Sequence, residues 1–233
     1  ISFSTPHRAL LPHNLTGVRL GYEFNESTRG ELFLVNNLGD FGATAGSVLP
    51  SGGFNVIYNW GQEGAKNWAK LSGALGPEHA ATATNKSITF LGDVSANWAA
   101  SDALAVGIEG FYRQDDKVAQ ARAAKFFGGT LSGNYGFSDV WDGTLRYSYV
   151  LDVNGNDGAT GATTVPFTNT GVGAPGLGQA GVKANHELTL ATGYAITEGA
   201  RFALEGRIDL AQSSAGASIG FAYGVGGMFA YSF

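Results

Sequence analysis

An all-β chain forming a closed antiparallel up-and-down transmembrane β-barrel of about twelve strands is the fold the sequence predicts. Three observations carry that expectation. Bulky apolar residues recur at every second position over long stretches. Charge is scarce and keeps to the other face of each stretch, and aromatic residues collect at one end of the stretches. Residues 1–233 read as one such domain.

Composition supports the first two points. Charged residues are 14% of the chain, against about 25% in ordinary soluble domains, and the 36 glycines are about twice the usual share. A low-complexity coil has a similar profile, but 44% hydrophobic and 12% aromatic residues are too apolar for disorder. The mean hydropathy of -0.01 shows that the apolar residues are dispersed. No run approaches the roughly 18 apolar residues of a membrane helix, so any crossing must use strands. With no cysteine, neither disulfides nor thiolate metal sites contribute. The net charge of -5 leaves no basic stripe, so nucleic acid is not an expected partner. No signal peptide precedes Ile1, as in a processed or partial chain.

Taken in order, Val18, Leu20, Tyr22 and Phe24 alternate with Arg19, Gly21 and Glu23. The stretch Arg29–Asn37 follows, with apolar residues on both faces; Ala65–Leu75 is equally ambiguous. Phe54, Val56, Tyr58 and Trp60 form one face of the next clear strand, and Ile88, Phe90, Val94 and Trp98 of another. Leu104, Val106, Ile108 and Tyr112 oppose Gly107, Glu109 and Arg113; Phe127, Leu131, Tyr135 and Phe137 oppose Gly128, Thr130 and Asn134. Trp141, Leu145, Tyr147 and Tyr149 oppose Thr144, Arg146 and Ser148. Leu188, Leu190 and Tyr194 oppose Glu187 and Thr189, and Phe202, Leu204, Ile208 and Leu210 oppose Arg201, Glu205, Arg207 and Asp209. The last stretch alternates from Ala217 to Phe233. This period of two, sustained beyond the usual 5–6 residues, is that of long strands.

Eleven strands emerge this way, and bacterial single-chain barrels close with an even number. Ile1–Thr5 is the natural twelfth, with Pro6–Asn14 as a loop. The abrupt start is also what a chain lacking upstream strands would show, which would raise the count to fourteen or more.

Connections alternate in length. Short ones are expected around Asn25–Thr28, Gly61–Gly64, Ala99–Ser101, Ser138–Val140 and Thr197–Gly199. Long ones are expected around Leu38–Ser51, Gly76–Asn85, Gln114–Ala121 and residues 154–181, with Ala211–Ala215 short where a long one was due. Outer-membrane barrels have short periplasmic turns and longer extracellular loops, which puts the C-terminus on the periplasmic side. A girdle of aromatics then falls at the short-turn end: Tyr22, Phe24, Tyr58, Trp60, Trp98, Tyr135, Phe137, Trp141, Tyr194 and Phe202, joined by Tyr231 and Phe233. A thinner set, Phe54, Tyr112, Phe127, Tyr147 and Tyr149, lies toward the other end. Interfacial aromatic belts account for this placement, whereas a soluble sandwich has no reason to gather aromatics there.

An arginine or lysine facing lipid at the bilayer midplane costs roughly 2–4 kcal/mol. The charged face must therefore point into the lumen, presenting Arg19, Glu23, Glu109, Arg113, Arg146, Arg201, Glu205, Arg207 and Asp209. Such a wall either filters ions and small polar solutes or fills a narrow barrel with salt bridges. Arg201, Glu205, Arg207 and Asp209 are its densest cluster on one strand.

The stretch Leu11–Asn37, with Pro12 ahead of Thr16–Arg19 and the pair Val35–Asn36 closing a hairpin, resembles the OmpL-like porin-2 group of outer-membrane barrels. The terminal Tyr231, Ser232 and Phe233 resemble the aromatic signal read by barrel-assembly machinery. The resemblance implies passive transport without naming a solute, and a full member would carry additional N-terminal strands.

Other motifs weaken on inspection. Gly171–Gly176 matches GxGxxG, but Pro175 and the Gly- and Thr-rich surroundings oppose the helix start a dinucleotide site needs. Asp152, Asn154, Asn156 and Asp157 resemble a calcium loop, yet its sixth and twelfth positions hold Asp157 and Thr163 rather than glycine and glutamate. His186 faces outward, as in barrel phospholipases, but no serine with a base partner accompanies it; His7, His13 and His79 fall in loops. Neither catalysis, a metal nor a cofactor is expected. The leading expectation is a diffusion channel, with lipids, small polar solutes and assembly machinery as partners. The second is a structural or adhesive barrel that binds another envelope protein, or its own copies, through loop 154–181.

Overall fold

A computed structural model describes residues 16–35, 50–61, 67–79, 86–118, 122–153, 182–213 and 218–231. Eleven strands run through them: β1 (Gly17–Glu23), β2 (Thr28–Val35), β3 (Ser51–Trp60), β4 (Asn67–His79), β5 (Lys86–Ala99), β6 (Leu104–Val118), β7 (Arg122–Gly136), β8 (Trp141–Asp152), β9 (Val182–Thr197), β10 (Ala200–Ser213) and β11 (Ser218–Tyr231). They form one sheet in chain order, each strand antiparallel to the next, which is the up-and-down wall of a β-barrel. Among the described residues no helix is long and apolar enough to cross a membrane. The proposed twelfth strand at Ile1–Thr5 and the long loop 154–181 lie outside the described residues, as does Phe233.

Register fixes which face each residue takes. Tyr22, Leu20 and Val18 stand opposite Gly30, Leu32 and Leu34, and these oppose Val56, Phe54 and Gly52. The ambiguous β2 is thereby resolved: Leu32 and Leu34 point outward, Glu31 and Val35 inward. In β4 the outward set is Leu71 and Leu75, with Lys70 and Ala74 inward. Phe33, Val35, Ala74 and Leu91 pack together on the inner side, which is why apolar residues occupy both faces there.

Turn chemistry sets the near end. Asn25 Oδ1 accepts from the backbone N–H of Ser27 and of Thr28, both at 2.9 Å, an Asx turn that closes β1–β2. Ser101 Oγ accepts from the Leu104 N–H at 3.0 Å before β6. Gly61 leaves β3 with φ of 105°, a conformation glycine adopts without steric cost.

The far end departs from expectation. β4 continues through Pro77 to His79, so its connection begins well after Gly76. β6 and β7 extend through Val118 and from Arg122, so the strand takes up residues 114–118 of the expected loop Gln114–Ala121. Pairing at Gln114, Asp115 and Val118, with an irregularity between the last two, carries strand through the polar stretch Gln114–Lys117 that had suggested a loop.

Candidate functional site: the inward charged wall

Among strand residues whose side chains are described, Lys125 is the one charge on the outward face, and it lies near the far end of β7. The other charges share the inward face with Gly, Ser, Thr and Asn. This separation follows from solvation: lipid offers a charge no hydrogen bonds, and the lumen does.

The sequence-predicted lumen residues occupy that inward face, and the structure joins several of them into networks. On β8–β10, Arg146 Nη2 lies 2.9 Å from Glu187 Oε1 and 3.2 Å from Thr189 Oγ1. Arg207 Nη2 lies 3.1 Å from the second oxygen of Glu187. The same guanidinium forks onto Asp209, with Nε–Oδ2 at 2.8 Å and Nη2–Oδ1 at 2.7 Å. Glu187 thus bridges two arginines on flanking strands, one per carboxylate oxygen. Glu187 and Asp209 have no solvent exposure and Arg207 only 5%, so two cations and two anions meet here in a largely buried ion network.

Arg201 is placed differently. It starts on β10, passes over Gly193 on β9 and pairs with Asp142 on β8. A Cβ at Gly193 would collide with the guanidinium, so glycine opens the path. Nearly half of the Arg201 side chain remains exposed.

At the other side of the wall, Arg19 and Arg29 share Glu31, at 3.6 Å and 3.0 Å, and Asn55 Nδ2 donates to the same carboxylate at 3.1 Å. Lys70 pairs with Asp93 at 3.0 Å between β4 and β5. Glu23 is exposed at the end of β1, while Glu109, Arg113 and Glu205 line the inward face half-buried on β6 and β10. The inward cations and anions therefore nearly balance.

Sequence reasoning passed over Glu31, Arg29, Lys70, Asp93, Asp142 and Glu187 as site residues. Parity exposes their facing, but their partners depend on register between strands, which one strand's alternation does not contain.

The outward face carries two aromatic belts. At the near end Tyr22, Phe24, Tyr58, Trp98, Tyr135, Phe137, Trp141, Tyr194 and Phe202 are exposed, and Trp60 is half-buried against Tyr58. Phe137 packs on Trp141 with centroids 4.6 Å apart, and Trp141 Nε1 donates to Thr192 Oγ1 at 2.6 Å. The far belt includes Phe90 and Phe127, each against Tyr112, and Tyr149 against His186. On β8, Trp141 and Tyr149 are eight residues apart, roughly 26 Å along the strand at ~3.3 Å per residue. Tilted by ~40°, that is about 20 Å along the membrane normal, close to the ~25 Å apolar band of outer-membrane barrels.

Three solved structures share this architecture. The outer membrane channel DcaP of Acinetobacter baumannii aligns at a TM-score of 0.70 with 14% identity, over 94% of this chain and 62% of that one. An anion-selective porin from Comamonas acidovorans aligns at 0.62 with 13% identity, over 95% and 56%. OmpT, an outer membrane protein of Vibrio cholerae, aligns at 0.56 with 14% identity, over 93% and 64%. The chain therefore spans less than two thirds of the length of each. No curated protein matches it in sequence. The family described as "Putative beta-barrel porin-2, OmpL-like" matches residues 9–225, nearly the whole chain. The chain belongs to that family of outer-membrane porin barrels.

Proposed function

We propose that the chain forms a passive channel for ions and small polar solutes in a bacterial outer membrane, with its short connections and C-terminal end in the periplasm. The observation that carries this reading is the separation of charge: polar and charged side chains line the inner face of the wall, while the outer face is apolar between two aromatic belts. Such a wall solvates a permeating ion and no lipid. Arg19, Glu23, Glu109, Arg113, Arg201 and Glu205 are the charges assigned to contact solute. Arg146, Arg207 and Asp209 hold the wall's shape through Glu187. Catalysis plays no part in this reading. Tyr231 and Phe233 are assigned to recognition by assembly machinery.

A second reading has support in the absence of solvent exposure at Ser148, Val150, Glu187 and Asp209 on the inner face of β8–β10. A wall so covered also suits a non-conducting barrel that binds a partner through its loops. Single-channel recording in planar bilayers separates the two. The channel reading expects stable conductance steps whose ion selectivity shifts toward cations in Arg201→Glu. Folded, inserted protein that stays electrically silent would sink it and favour the second.

A further inference from the structure

We propose that the outer surface of β8–β10 is a binding site for one phosphorylated membrane lipid. A groove of about 530 Å³ opens there, lined by Tyr147, His186, Leu188, Ile208, Leu210 and Gln212. That volume falls within the roughly 300–1,000 Å³ range of ligand sites. Two adjacent outward rows carry its lining: Tyr147, Leu188 and Ile208 stand opposite one another across the three strands, and His186 and Leu210 pair in the next row toward the far end, with Tyr149 on the groove's margin opposite His186. Glu187 and Ala211 turn their side chains to the lumen, leaving backbone as the floor.

The groove has the polarity of an amphiphile. Leu188, Ile208 and Leu210 supply an aliphatic bed on a face whose solvent is acyl chain. At its far end Tyr147 Oη and His186 Nδ1 are hydrogen-bonded at 2.7 Å, and the Tyr149 ring lies 4.9 Å from the imidazole. Either tautomer leaves the pair a donor. With Tyr147 donating to Nδ1, Nε2 carries a proton; with Nδ1 protonated, the tyrosine hydroxyl keeps its own. A hydrogen-bonded His–Tyr pair is costly against hydrocarbon and useful at headgroup depth, where the far aromatic belt lies. An acyl chain along Leu188, Ile208 and Leu210 brings its phosphate to this donor. The site is independent of whether the lumen conducts.

The test is native mass spectrometry of the refolded chain in detergent, titrated with dimyristoyl phosphatidylglycerol and, separately, with dimyristoylglycerol. A single-lipid adduct with phosphatidylglycerol is expected, retained about ten-fold more strongly than the uncharged lipid. Ile208→Trp, filling the groove, should cut that adduct about ten-fold, and Leu210→Phe serves if it does not fold. His186→Ala should abolish the preference between the two lipids, while Leu131→Trp, outward but outside the groove, should behave as the parent. Heat-dependent gel migration checks folding of each variant. Equal retention of the two lipids by the parent, or parent-like binding by folded groove-filling variants, would overturn the proposal. So would a dimer mass that disappears in Ile208→Trp, which would give the groove to a second copy.

Discussion

Arg201 crosses over Gly193 to reach Asp142, so a residue without a side chain on the middle strand couples two strands that are not neighbours. The bridge is partly exposed, and screening limits its own worth to about 1 kcal/mol or less. The clashing atoms are the mobile end of a partly exposed side chain, so Gly193→Val should swing the guanidinium aside and cost about as much as the bridge itself, as should Asp142→Asn. Urea unfolding of the refolded barrel in lipid measures both, and the double variant should cost no more than either single one. Additive losses would mean that the glycine is not what admits the arginine.

Glu187 holds two arginines in a region without solvent exposure. Removing one partner of a buried pair strands the remaining charge, typically at 3–5 kcal/mol. Glu187→Gln should therefore lower stability by about that amount, with part of the loss recovered when Arg146→Gln is added. A double-mutant cycle on unfolding free energies reads the coupling; strict additivity would show that the two groups do not interact in the folded barrel.

Leu190 points outward between the two aromatic belts, 65% exposed to what would be lipid. Thr144, on the neighbouring strand, points inward and is hydrogen-bonded by Asn134. Leu190→Arg should cost roughly 2–4 kcal/mol and reduce membrane assembly, while Thr144→Arg should leave assembly largely intact. The yield of heat-modifiable protein in outer-membrane fractions compares them. Matching losses would reverse the facing of β8 and β9.

Removal of Tyr231–Phe233 is expected to slow insertion in cells without changing the solute preference of the barrels that do insert. Pulse-labelled membrane fractions follow the rate. An unaltered rate would leave the terminal aromatics without a role in assembly.

Facing was legible from the chain because its rule is local. One residue's direction fixes the next, and alternations such as Leu145, Tyr147 and Tyr149 against Arg146 and Ser148 reappear in the wall as read. Where the inner side acquired its own small apolar cluster, at Phe33, Val35, Ala74 and Leu91, alternation blurred and β2 and β4 could be placed only through their neighbours. The charge partners were less legible still. Alternation puts Arg207 in the inward cluster without naming its partners, because these depend on Glu187 standing two residues along from its register partner Thr189, a relation set by pairing between strands. The strand extensions past Gln114 and Pro77 were missed because composition there follows solvent and pairing follows backbone.

The near belt has a consequence for watching this barrel form. The chain has 4 tryptophans. Trp60, Trp98 and Trp141 sit on the outer face beside the short connections, and Trp68 begins β4 at the same end on the inner face. Indole emission is therefore a gauge of a single depth. Quenchers attached at graded positions along lipid tails would register the arrival of that rim and nothing of the opposite one. A blue shift that is complete while the far end is still accessible to protease would time the two rims separately, with no added dye.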